Sequence, residues 1–197
     1  MQLGALSKRT RLLVVLMGFA LLSALFFLIP DNAPLENALA SSKKIKKDSE
    51  LPVRIKIPKI HVDAAIQYVG LTSDGAMDVP KNFTDAAWFN LGPRPGEEGS
   101  AAIAGHYGRK NNKGSVFDNL HKLRKGDKIY IENEDGIPIP FVVRKFRTYG
   151  QYEDALDVFD SSDGKAHLNL ITCNGVWNKV SKTYSKRLVV FTDKLID

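Results

Sequence analysis

From Leu51 to Asp193 apolar residues recur at every second position, in short runs broken by turn residues. A period of two turns one face of each run toward a core and the other toward water, which commits the chain to β-sheet. Val53, Ile55 and Ile57 alternate with Arg54 and Lys56 and stop at Pro58, the pattern of an edge strand. DAAIQYVGL is a second extended run, closed by TSDG as a turn. SAAIAGH is short, small and apolar, as expected of a strand buried on both faces. DKIYIENEDGIPIPFVVRKFRTYG reads as two strands joined around Glu134-Asp135-Gly136. HLNLITC sets Leu168, Leu170 and Thr172 against His167, Asn169 and Ile171, and RLVVFTD is a closing apolar strand.

Helical signal is sparse. SVFDNLHKLRKGD places Val116, Leu120 and Leu123 on one face and ends at Gly126, which predicts one or two turns. NFTDAAWFNLG is read as another short helix. Many short strands with short connections point to one mostly-β domain over residues 51–197, a closed antiparallel barrel or a sandwich.

The N-terminal fifty residues follow a different rule. Leu12 to Ile29 is a run of 18 residues without a charge, closed by Pro30. As a helix it would span roughly 27 Å, close to the hydrocarbon thickness of a bilayer. Lys8, Arg9 and Arg11 precede it, whereas Pro30 to Ser42 holds no Lys or Arg. The positive-inside tendency therefore predicts a cytoplasmic basic tail (1–11), a single-pass transmembrane helix (12–29), a polar stalk (30–50) and an extracellular domain. A cleaved signal peptide ending at Ala38-Leu39-Ala40 and a buried core helix are the competing readings. Lys43, Lys44, Lys46 and Lys47 in the stalk suit either a solvated linker or contact with anionic lipid or wall polymer.

The formal charge of +6 does not argue for nucleic acid. Residues 51–197 carry only +3 of it, with no basic stripe, helix-turn-helix or zinc-finger spacing. No HExxH, paired cysteines, EF-hand loop, P-loop or dinucleotide fingerprint occurs, so neither a metal nor a cofactor is expected.

Cys173 is the chain's single cysteine. Outside the cytosol a spare thiol is exposed to oxidants, so its retention is informative; on its own it leaves catalytic use and inert burial level. A cysteine nucleophile attacks as thiolate, and its leaving group then needs a proton, usually from histidine. His61 follows IPKI in a turn-like position, and His121 lies in the short amphipathic segment. His167 opens the strand that ends at Cys173, some 20 Å away at about 3.3 Å per residue, too far to help. His106 ends the buried SAAIAGH strand, after a glycine that permits close backbone approach, and is the strongest candidate. Arg187 opens the closing strand 14 residues after Cys173, a separation that lets an antiparallel return bring it beside the thiol. A solvated arginine is the alternative, and Lys186 competes for the role.

In order and spacing, IAGHYG (residues 103–108), NLITC (Asn169–Cys173) and KRLVVF (Lys186–Phe191) resemble the sortases, membrane-anchored cysteine transpeptidases of the Gram-positive surface. The stretch from IPKIHVDAAIQ to AIAGH is most similar to class F sortases. Asn174-Gly175 stands where many class F members have two glycines, and Tyr107-Gly108 follows the histidine. The resemblance covers roughly residues 51–195 and implies an eight-stranded β-barrel. It further implies cleavage of an LPXTG-like sorting signal between Thr and Gly, through a thioester. The acyl group would pass to an amine of a peptidoglycan precursor or a pilin lysine. Cys173 would be the nucleophile, His106 the general acid/base, and Arg187 the residue binding substrate carbonyls and the oxyanion. Thr172 would add polar contacts to substrate. Two other readings keep the fold: a surface-anchored binding module without catalysis, and a cysteine hydrolase without an acceptor.

Overall fold

A computed structural model describes residues 51–108 and 114–196. The tail, the expected membrane helix and the stalk lie outside these residues. Among the described residues no helix is long and apolar enough to cross a membrane.

Eight strands close into a barrel in the order β1-β2-β3-β4-β7-β8-β6-β5. They are β1 (Pro52–Ile57), β2 (Val62–Val69), β3 (Ala86–Phe89), β4 (Gly99–Gly105), β5 (Lys128–Asn133), β6 (Pro138–Gly150), β7 (Ala166–Asn178) and β8 (Thr183–Lys194). One short helix, α1 (Leu156–Phe159), and 3-10 turns at Pro58–Ile60 and Leu120–Lys122 complete the described elements.

The alternation fixes which side chains fill the barrel. Ile55, Ile57, Ile103, Ile129, Ile131, Phe141, Leu168, Leu170 and Val190 form its interior, and Phe117 and Leu120 plug one end. Each such side chain contributes about 1.5–3 kcal/mol on burial. Intervening residues on β6 and β8 face outward, where Tyr149, Val189 and Phe191 pack with Val158 of α1 in a second cluster. Asn169 ties that helix down by donating from Nδ2 to the Val158 carbonyl at 2.7 Å. β4 is buried along its whole length, as its small residues require.

Three local expectations are corrected. The sheet is not wholly antiparallel: β2–β3 and β4–β7 are parallel pairs, and a period of two carries no information about strand direction. β1 is not an edge strand, because it pairs with β2 on one side and β5 on the other. Pro58 ends it by starting a 3-10 turn, so the missing N–H lies outside the ladder. The NFTDAAWFNLG stretch forms β3 rather than a helix; its buried Ala86-Ala87-Trp88 run is too short to display any period. The 115–127 segment forms a single 3-10 turn at Leu120–Lys122, within the one or two turns expected of it.

Candidate active site

The site follows from strand register. β4 and β7 run parallel with Gly105 opposite Thr172, while β7 and β8 run antiparallel with Thr172 opposite Leu188 and Cys173 opposite Arg187. Thr172 and Leu188 belong to the inward-facing row, since Leu168, Leu170, Leu188 and Val190 share that parity and lie in the core. Gly105 joins the row: a Cβ there would press on Phe117 and come within 2.7 Å of Val116 Cγ1. The next row therefore has the opposite parity. It contains Cys173 and Arg187 as direct partners and His106 one residue past the end of β4. With strands about 4.8 Å apart, three distant parts of the sequence meet within roughly 10 Å of backbone.

The absent side chain at Gly105 lets the 115–123 segment close over the barrel end. Phe117 N–H donates to the His106 carbonyl at 3.1 Å and Val116 N–H to the Phe83 carbonyl at 2.9 Å. Asp118 clamps the base of the loop after His106. Its Oδ1 accepts from Gly108 N–H at 2.7 Å and its Oδ2 from Ser115 N–H at 2.9 Å. Ser115 Oγ also donates to the Gly108 carbonyl.

The imidazole of His106 is held on the side away from β7. Nε2 contacts the Pro80 carbonyl at 2.7 Å, so this nitrogen carries the proton, and the ring stacks on Phe83 at 4.3 Å. The Arg187 guanidinium is fixed by backbone and hydroxyl oxygens. Nη1 donates to the carbonyls of Tyr184 (2.8 Å) and Lys186 (2.9 Å), and Nη2 to Thr183 Oγ1 (3.1 Å). Burial pushes the Cys173 thiol above its ordinary pKa, and the nearby Arg187 charge pulls it part of the way back. The resting arrangement thus combines a thiol of raised pKa with an imidazole and a guanidinium that are each anchored on other oxygens.

Thr172 is buried and its hydroxyl donates to the Gly105 carbonyl at 2.8 Å, linking β7 to β4 directly beneath the row. His167 lies at the other end of β7, bonded to Asp163 and Asp193. His61 occupies a left-handed turn position, φ +56°.

Sequence reasoning missed two contributors. A cavity of about 260 Å³ opens beside the sulfur, with Phe117, Leu188 and Thr172 as its floor and Tyr107 and His121 on its walls. The 3-10 turn presents His121 there, and no spacing signal marks it. Tyr184 is the second. Its ring meets Tyr107 edge-on at 5.5 Å and Trp177 at 5.0 Å. Burial raises its phenol pKa, and the neighbouring Tyr107, Cys173 and Asp118 add to the shift. Only its cross-strand position opposite Trp177 would have revealed it.

Chemically, the row offers a sulfur nucleophile, an imidazole able to carry a proton, and a permanent cation for a developing oxyanion. Among the described residues no group of three or more His, Cys, Asp and Glu side chains is arranged to hold a metal ion.

The sortase domain family model matches residues 55–195. The chain is 29% identical over 167 residues to sortase A of Bacillus anthracis, covering 83% of this chain and 66% of that protein, just under two thirds of the relative's length. Its fold matches sortase C-1 of Actinomyces oris, with a TM-score of 0.58 and 25% identity over 74% of this chain and 76% of that one. It also matches the sortase D5 transpeptidase of Clostridium perfringens, with a TM-score of 0.56 and 24% identity over 79% and 89% of the two chains.

Proposed function

The chain belongs to the sortase family, and from that premise we propose that it is a membrane-anchored cysteine transpeptidase acting on surface proteins with an LPXTG-like sorting signal. The observation that carries the reading is the outward-facing row at the end of β4, β7 and β8. There, Cys173 and Arg187 are direct partners and His106 stands at the same level. The class F reading rests on the resemblance of the IPKIHVDAAIQ to AIAGH stretch alone, while the relatives named above are sortases A, C and D.

The chemistry runs in two halves. Cys173 attacks the threonine carbonyl as thiolate, and the oxyanion of the tetrahedral intermediate forms beside the Arg187 guanidinium. The departing glycine nitrogen must take a proton, for which His106 is the source. To reach it, the imidazole has to leave the Pro80 carbonyl. The C–N bond breaks and a Cys173 thioester remains. An amine of a peptidoglycan precursor or a pilin lysine then attacks the thioester and gives up a proton to His106; the C–S bond breaks, and the departing thiolate takes that proton back from His106 to restore the thiol.

The elevated thiol pKa supports a Cys173 that gives up its proton when substrate arrives rather than one held as thiolate at rest. Leu12–Ile29 supplies the anchor in this reading, with the catalytic domain outside the cell.

Product analysis tests the proposal. With an LPXTG-type peptide and oligoglycine or diaminopimelic acid, the expected product joins the LPXT fragment to the amine, and Cys173→Ala abolishes it. Hydrolysed peptide alone, unchanged by added amine, would make the protein a hydrolase. Undiminished turnover by Cys173→Ala would remove the mechanism.

A further inference from the structure

The β7–β8 hairpin continues beyond the active-site row, with Trp177 opposite Tyr184 and Asn178 opposite Thr183. From Gly164 to Thr192 the chain holds no acidic residue, while Lys165, Lys179, Lys182, Lys186 and Arg187 are all cationic. The apex of the hairpin is also apolar and open to solvent. Val176 is 76% exposed, Trp177 47% and Val180 93%. Lys179 and Lys182 are exposed beside them.

This apex is ordered. Asn178 Oδ1 accepts from Val180 N–H at 2.8 Å and Ser181 N–H at 3.2 Å, which fixes the turn with Val180 at its tip. Lys182 sits at φ +50°, a left-handed conformation that favours Gly or Asn, yet the position carries a lysine. Trp177 packs on Tyr184, which packs on Tyr107, next in sequence to His106. Folding alone gives no reason to hold a valine and a tryptophan out in water on a preformed, exclusively cationic turn.

We propose that the β7–β8 apex is a docking surface for an anionic lipid bilayer. Val176, Trp177 and Val180 enter the headgroup boundary, and Lys179 and Lys182 lie among lipid phosphates. Tryptophan with neighbouring lysines is the composition that favours this interface, and charge complementarity selects anionic lipid. A soluble polyanion would use the lysines but leave Val180 and Trp177 in water. Docking brings the mouth of the cavity beside Cys173 to the membrane surface. The inference stands on exposure, charge and turn geometry, and does not depend on the reaction proposed above.

The test uses the full chain reconstituted into vesicles of phosphatidylcholine alone or mixed with phosphatidylglycerol, each with brominated acyl chains that quench tryptophan. The two tryptophans report separately, because Trp88 is buried and Trp177 is not. The expected result is quenching in the phosphatidylglycerol vesicles only. Trp177→Phe should remove the quenched component, and the double variant Lys179→Glu, Lys182→Glu should lose the quenching. Both substitutions lie on the exposed apex, and circular dichroism checks that the barrel is retained. Equal emission in the two vesicle types, or quenching indifferent to the lysine reversals, overturns the proposal. So does a Trp177 response to soluble poly(glycerol phosphate) without lipid quenching, or one that tracks protein concentration through self-association.

Discussion

Cys173 on β7 and Arg187 on β8 face each other directly across an antiparallel pair, one step beyond the buried Thr172–Leu188 pair. The guanidinium is held by three oxygens from Thr183, Tyr184 and Lys186, so its position is fixed before any substrate arrives. Prearranged charge is the form in which electrostatic stabilisation of an oxyanion is most effective, because no reorganisation accompanies the reaction.

Arg187→Lys should therefore lower kcat/KM for peptide cleavage by about 10²-fold, the usual effect of removing one oxyanion donor. A lysine keeps the charge but lacks the planar fork that spans the Thr183 and Tyr184 oxygens. Steady-state kinetics on a sorting-signal peptide checks this, and a rate within twofold of the parent would take Arg187 out of the mechanism.

The same electrostatics has a pH signature. Burial raises the Cys173 pKa and Arg187 opposes the rise, so the resting enzyme should be alkylated slowly at neutral pH and faster as pH climbs. The midpoint of the iodoacetamide rate profile should lie above the ordinary thiol value of about 8.5. Arg187→Gln removes the opposing cation and should move that midpoint higher still. A midpoint below neutrality would show a thiolate already formed in the resting state.

Gly105→Ala should damage the site through packing. The new Cβ would press on Phe117 and lie 2.7 Å from Val116, on the segment bonded to the backbone of His106 and Phe83. Overpacking of this kind costs about 1–3 kcal/mol. A lowered thermal midpoint together with reduced activity is expected; unchanged stability would mean that the 115–123 segment can shift without consequence.

Away from the site, His167 is buried and bonded through Nδ1 to Asp193 and through Nε2 to Asp163, tying the start of β7 to the end of β8. The bond from His167 holds the Asp163 carboxyl below its usual range, with the Lys165 backbone N–H assisting. A depressed carboxylate pKa stabilises the fold above the unfolded value, near 3.9, and that contribution is lost as pH falls through the lower folded value. Thermal melts from pH 6 to pH 2 should show this loss, and His167→Leu should flatten that part of the profile. An identical acid profile in the variant would mean that the contact contributes nothing.

Much of this architecture was legible in the residues. The alternation in VRIKI, HLNLITC and RLVVF located β1, β7 and β8, and the 14-residue separation of Cys173 and Arg187 matches their cross-strand pairing. Strand direction was not legible, since periodicity is blind to it, and β3 escaped because three buried residues form no pattern. His106 was singled out by its place at the end of the buried SAAIAGH strand, directly after Gly105. Its bond to Pro80, 26 residues earlier, depends on a loop placed by tertiary structure. His121 and Tyr184 reach the site through a 3-10 turn and a hairpin pairing that local sequence does not encode.

The central claim is that the sulfur of Cys173 accepts the acyl group of a sorting-signal peptide. Intact-protein mass spectrometry after brief exposure to an LPXTG-type peptide, with acid quenching, reads this directly. The account predicts a mass increase equal to the fragment ending at threonine, located on the Cys173 peptide, absent in Cys173→Ser and discharged by added amine. Peptide cleavage that proceeds while Cys173 stays unmodified at every time point, with Cys173→Ser equally active, would contradict it.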